Sequence, residues 1–141
     1  MTNLQSQGDI RPRVLLVDDE NSVRESLYTL LEGDGYEVLA ASNGPDALTI
    51  FRQSSRPIEL LVTDYNMPKM SGLQLARDCS LLCNELRVLY VSGSRPDEEL
   101  QADLQGCKRG FVAKPFRGND LLRKARELLL VESAGQMSLR S

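Results

Sequence analysis

The 141-residue sequence contains no histidine. That absence removes a Ser-His-Asp triad, a Cys-His pair and any phosphohistidine formed on this chain. A phosphoryl group that travels by way of a histidine therefore has to come from another protein. Cysteine is scarce: Cys79, Cys83 and Cys107 are odd in number and have no histidine to complete a zinc set, so they read as reduced thiols of a cytoplasmic protein. No apolar run approaches the roughly 20 residues that span a bilayer. The opening MTNLQSQGDIRPR has no apolar core, which sets it apart from a secretory signal. Neither G-x-G-x-x-G nor a P-loop sequence follows any apolar run, which argues against a nucleotide-binding module. A dominant charge is also lacking. The net charge of −3 gives no general attraction to nucleic acid or an anionic membrane.

What is present is an ordinary globular composition, 41% hydrophobic and 26% charged, in a length that suits one domain with its own core. Residues 1–12 are polar and end at Pro12, so they read as an N-terminal tail. Residues 132–141 lose the apolar period and read as a C-terminal tail or linker, leaving 13–131 as the domain. Within it, VLLV, EVLAA, LLVT, RVLYV and FVA are five short apolar runs, too short for helices and rich enough in Val and Leu for buried strands.

The intervals carry helical period. Val23, Leu27, Leu30 and Leu31 form a stripe closed by Gly33 and Gly35, and Ala47, Leu48 and Phe51 follow a Gly44-Pro45 start. Leu75, Ala76, Cys79, Leu82 and Cys83 follow Ser71, a candidate N-cap. Leu121, Leu122, Ala125, Leu128 and Leu129 follow Asn119, read as another cap. The interval after Pro96 offers mainly Leu100 and Leu104, so it is expected to be the least firmly packed helix. Strands alternating with helices predict an α/β fold with a doubly wound, five-stranded parallel sheet and helices on both faces. EVLAA, which begins with Glu37, is placed at an edge, giving the flavodoxin-like order 2-1-3-4-5.

In such a sheet ligands bind beyond the carboxyl ends of the strands. The first strand is followed there by Asp18 and Asp19, the third by Asp64, the fourth by Ser92 and the fifth by Lys114-Pro115. Parallel strands bring these groups to one rim. Two unit charges 4 Å apart repel by roughly 4 kcal/mol near a protein surface, so three carboxylates and one lysine call for a hard divalent cation. Mg²⁺ takes oxygen ligands and keeps several waters. Asp19 and Asp64 can bind it directly and Asp18 through water, and a backbone carbonyl just past Asp64, that of Asn66, completes the protein side. Ser92 and Lys114 suit an anion arriving beside the metal, which makes Asp64 a nucleophile for a phosphoryl group. A cis Lys114–Pro115 bond would fix the approach of the lysine, although cis is the minority form of X–Pro.

"VDDE", "DYNMPKMSG", "VSGS" and "FVAKPF" stand in the order of four signature segments, and from Arg13 to Val131 the chain resembles the receiver domain of bacterial two-component response regulators. The resemblance implies Asp64 as phosphoacceptor, Asp18 and Asp19 as the acid pair, Asn66 as a carbonyl ligand, Lys114 as the family's lysine, Ser92 as the switch hydroxyl and Mg²⁺ as the cofactor. Phe111 falls at the switch aromatic, often Tyr, and lacks its hydroxyl. Ser92 replaces the commoner Thr, and "ADLQGCKRGF" departs from the usual small-residue pattern before the fifth strand. The implied partners are a histidine kinase or a histidine phosphotransfer protein as donor, and a downstream protein or a linked output domain as target. The face made by the fourth helix, fifth strand and fifth helix is the expected output and dimerisation surface. The alternative is a Mg²⁺-dependent phosphatase of the haloacid-dehalogenase type. That class carries its nucleophile after the first strand with a second Asp two residues on, and Glu20 stands at that position here. The chain reads equally as a stand-alone receiver, a phosphorelay shuttle or a receiver cut from a longer protein.

Overall fold

The computed structural model describes residues 11–131; the two expected tails, residues 1–12 and 132–141, lie almost wholly outside them. Five strands, β1 (Arg13–Val17), β2 (Glu37–Ala41), β3 (Leu60–Asp64), β4 (Arg87–Ser92) and β5 (Arg109–Ala113), alternate with five helices. These are α1 (Asn21–Gly33), α2 (Gly44–Gln53), α3 (Gly72–Leu82), α4 (Glu98–Asp103) and α5 (Gly118–Leu129). The strands pair in parallel in the order β2-β1-β3-β4-β5, as expected, with β2 at one edge and β5 at the other.

Alternation along the strands divides the core into two layers. Val14 and Leu16 of β1, Val62 of β3, Leu89 and Val91 of β4 and Val112 of β5 pack with α1 and α5. Leu15 and Val17, Leu61, Val88 and Tyr90 pack with α2, α3 and Leu100 of α4, and Phe111 is half-buried against that second layer. β1 and β3 are buried along their whole length, which is why they read as unbroken apolar runs.

Local chemistry starts and stops the helices. The side chain of Asn43 accepts the Asp46 N–H at 2.8 Å, and Ser71 accepts that of Gln74 at 3.1 Å. After α1, Gly35 takes φ 97°, a left-handed conformation that favours glycine. α5 begins earlier than the sequence suggests. Asn119 lies inside the first turn, and the chain turns at Arg117, whose carbonyl accepts the Asp120 and Leu121 N–H groups. Gly118 permits this because a Cβ there would come within 3.0 Å of Leu30. α4 has six residues and buries only Leu100, in line with the thin apolar stripe of its sequence.

Candidate functional site

The register of the sheet sets the rim. Val17 pairs with Thr63, so Asp18 stands beside Asp64 at the next step. Asp64 pairs with Val91 and Ser92 with Ala113, which carries Lys114 to the same edge. Asp18, Asp64 and Lys114 share the parity of the α1/α5 layer, while Ser92 and Phe111 share that of the α4 layer. Carboxylates and lysine thus meet on one side of the rim, and the hydroxyl and the ring lie toward the other.

Carboxylate oxygens of Asp18, Asp19 and Asp64 all lie within 4.8 Å of one another. Asp18 and Asp64 are buried and Asp19 is exposed. Lys114 Nζ lies 3.6 Å from Asp18 Oδ2 and 3.7 Å from Asp64 Oδ2. Both distances are too long for a direct hydrogen bond, so the lysine screens the pair without satisfying it. Asp18 Oδ1 accepts the Glu20 N–H at 2.9 Å, but its Oδ2 is buried with no hydrogen-bond partner. Burial raises the pKa of Asp18. Burial, and then the charge of Asp18, push Asp64 up to about 6 against the opposing pull of Lys114. An orphaned oxygen and a crowded set of hard oxygen donors fit a divalent cation that prefers oxygen ligands.

The loop after β3 is held by its backbone. The Tyr65 N–H donates to the Val91 carbonyl and the Gly72 N–H to the Tyr65 carbonyl, each at 2.9 Å. Gly72 is required by a close approach: a Cβ there would strike the backbone carbonyl of Asp64. Asn66 donates its N–H to Asp64 Oδ1 at 3.3 Å and its side-chain Nδ2 to Ser92 Oγ at 3.4 Å. Ser92 Oγ also accepts the Ser94 N–H at 3.1 Å. The Lys114–Pro115 peptide bond is cis.

Every expected site residue except Phe111 therefore gathers at this rim, and Phe111 lies one layer away, against α4. Sequence reasoning missed Arg24, whose Nη1 donates to the Asp18 carbonyl at 2.7 Å and fixes the turn carrying the acid pair. It also missed Tyr65, whose hydroxyl reaches Asp97. Its only signal is an aromatic directly after the rim aspartate.

Comparison with known proteins adds a second line of evidence. The profile of the response regulator receiver domain matches residues 14–126. The chain is 32% identical over 123 residues to the response regulator receiver protein CpdR of Brucella abortus, covering 84% of this chain and 97% of that protein. It is 36% identical over 117 residues to the response regulator MprA of Mycobacterium avium, covering 83% of this chain and 50% of MprA, so it spans about half of that relative. Among solved structures, the receiver domain of the hybrid histidine kinase CckA superposes with a TM-score of 0.70 at 30% identity, covering 83% of this chain and 98% of that one. The response regulator TrrA of Thermotoga maritima, in complex with Mg²⁺-BeF, gives 0.69 at 30% identity with the same coverage. Sheet order, rim chemistry and these matches converge, and the chain belongs to the response regulator receiver domains, the phosphoacceptor signalling domains of two-component systems.

Proposed function

We propose that Asp64 is the phosphoacceptor, that Asp18, Asp19, Asp64 and the Asn66 backbone carbonyl hold Mg²⁺, and that Lys114 and Ser92 receive the phosphoryl oxygens. The observation that carries this reading is the convergence of three carboxylates within 4.8 Å beside a lysine, with the buried Asp18 Oδ2 left without a hydrogen-bond partner. The resemblance to a receiver solved with Mg²⁺-BeF supports the choice of metal. When bound, Mg²⁺ supplies charge neutralisation for the acidic cluster and the incoming phosphoryl oxygens.

The chain's own groups do the rest. A carboxylate oxygen of Asp64 forms the new P–O bond as the P–N bond of the donor's phosphoimidazole breaks, and the electron pair returns to the imidazole nitrogen. Lys114 Nζ, already poised between Asp18 and Asp64, moves to a phosphoryl oxygen. The Ser92 hydroxyl, now shared with Asn66 and Ser94, turns to donate to another. Phe111 then fills the space that Ser92 leaves, and the face formed by α4, β5 and α5 changes its binding. That face is the proposed contact for a downstream protein, a linked output domain or a phosphorylation-dependent dimer.

The donor is a histidine kinase or a histidine phosphotransfer protein, since this chain has no histidine of its own. An open groove between α1 and the turn after β5, walled by Val23, Leu27, Leu30 and Phe116 and opening beside Lys114, gives such a donor an apolar seat. Among the described residues no helix is long and apolar enough to cross a membrane. Free Cys79, Cys83 and Cys107 suit the reducing cytoplasm. The phosphatase alternative loses its support, because the signalling family accounts for the rim and its candidate acceptor follows β3 rather than β1. The test is labelling by acetyl phosphate with Mg²⁺: intact mass should rise by one phosphoryl group, labile to hydroxylamine. Asp64→Asn should abolish the gain, and equal labelling of that variant would remove Asp64 as the acceptor.

A further inference from the structure

α4 is tied to the sheet at both ends by a tyrosine–carboxylate pair, and the two pairs differ in kind. At its start, the Tyr65 hydroxyl meets both carboxylate oxygens of Asp97 at 2.9 and 2.8 Å. Asp97 is also the N-cap of α4, its Oδ1 accepting the Leu100 N–H at 2.9 Å. Asp97 is exposed and Tyr65 is half-buried. At the other end, the hydroxyl of Tyr90, which is wholly buried, donates to Asp103 Oδ2 at 2.6 Å. The same oxygen accepts from Arg109 Nε at 3.0 Å, and that guanidinium is held in turn by the Leu86 carbonyl and by Ser80 Oγ. The far end is thus a half-buried network that rests on the wholly buried Tyr90 and spans β4, β5, α3 and α4, while the near end is a single contact at the surface. The two tyrosine rings stand edge to face, with centroids 6.2 Å apart.

We infer that Tyr65 and Asp97 form a latch that holds α4 in its resting position, and that loading Asp64 opens it by pivoting the helix on the Tyr90–Asp103–Arg109 anchor. This rests on Asp64 being the acceptor. Tyr65 follows Asp64 directly and its backbone is pinned on both sides, to Val91 and Gly72, so its main chain does not travel with a moving partner. Asp97 sits at the far end of the loop that begins at Ser92. When the Ser92 hydroxyl turns to an anion on Asp64 it gives up the Ser94 N–H, which now ties that loop down. The helix has one fully buried side chain, Leu100, to resist the displacement. A contact made in one state and lost in the other biases the equilibrium between them, and a hydrogen bond as open to water as this one is worth about three- to tenfold in such an equilibrium.

The experiment uses Tyr65→Phe, which deletes only the hydroxyl, Asp97→Ser, which keeps a capping oxygen but is too short to reach Tyr65, and the double variant. Each is titrated with beryllofluoride at saturating Mg²⁺ and followed by amide NMR. Removing the latch should tighten beryllofluoride binding about three- to tenfold. It should also displace the unloaded α4 resonances along the line that joins the resting and loaded positions of the wild type. The double variant should equal the stronger single one, because either change breaks the same contact. Unchanged or weaker binding in Tyr65→Phe, α4 resonances that stay in place, or additive effects in the double variant would each overturn the latch. Failure of the wild type itself to bind beryllofluoride would instead strike the acceptor assignment on which the latch rests, and Asp64→Asn labelling reports on that separately.

Discussion

Asp64→Asn should make the metal-free protein more stable, although it removes the group proposed to be essential. Asp64 is 7% exposed, shares the rim with two other carboxylates and has its pKa pushed from the ordinary 3.8 to about 6. A folded-state pKa above the unfolded one means that folding disfavours the charged carboxylate. Below about pH 3 both states are protonated and there is no penalty. The penalty grows as pH rises through the two pKa values and is complete above about pH 7. A gap of about two pH units corresponds to roughly 3 kcal/mol as an upper bound, and water reaching the open rim reduces it to about 1–3 kcal/mol. Asparagine keeps Oδ1 as an acceptor for the Asn66 N–H, and Lys114 keeps Asp18 as a partner, so little is lost in exchange. Urea unfolding followed by far-UV circular dichroism, with chelator present, should give the variant that advantage at pH 7.5 and only about a third of it at pH 4.5. Excess Mg²⁺ should then narrow the gap by stabilising the wild type through binding. A variant equal to or less stable than wild type at pH 7.5 in chelator, or an advantage that persists unchanged at pH 4.5, would refute the like-charge reasoning and make Asp64 a structural carboxylate.

Lys114→Ala should lower both the rate of acetyl phosphate labelling and metal-free stability at neutral pH, since it leaves the Asp18 and Asp64 charges unscreened; a stopped-time labelling series and a thermal melt measure the two. Gly72→Ala should cost about 1–3 kcal/mol, because its methyl meets the immovable carbonyl of Asp64 rather than a flexible side chain, and urea unfolding reads the loss. Tyr90→Phe should destabilise by about 1–3 kcal/mol, leaving Asp103 and Arg109 to share a half-buried site without the hydroxyl, and hydrogen exchange should show the loss concentrated in α4 and β5.

The sheet was legible because parallel strands covered on both faces must be apolar throughout, and VLLV and LLVT say so without needing their partners. Asp18, Asp64, Ser92 and Lys114 were legible for a related reason: each directly follows or ends an apolar run, so one rule about strand ends gathers them. α5 starts at Gly118 rather than at Asn119, and the contact that favours a glycine there comes from Leu30 on a distant helix, which no local pattern announces. Tyr65 and Asp97 lie 32 positions apart and no periodicity relates them. Arg24 was hidden in the polar side of α1, and its bond to the Asp18 carbonyl depends on how that helix leaves the strand. What escaped the sequence were pairings between side chains of different elements, which only the assembled fold brings together.

Strand alternation puts Lys114 and Phe111 three positions apart in the chain yet on opposite sides of one sheet, with Asp64 beside the first and Tyr90 beside the second. On the function proposed above, substitutions along α1 would retune how fast the acceptor is loaded and emptied while sparing the surface that others read, which α4, β5 and α5 form. Substitutions around α4 would change both, because the latch ties the audience to the clock. A lineage that duplicates such a domain could then reset timing alone from the α1 side, but could not change its recipient without disturbing the timing.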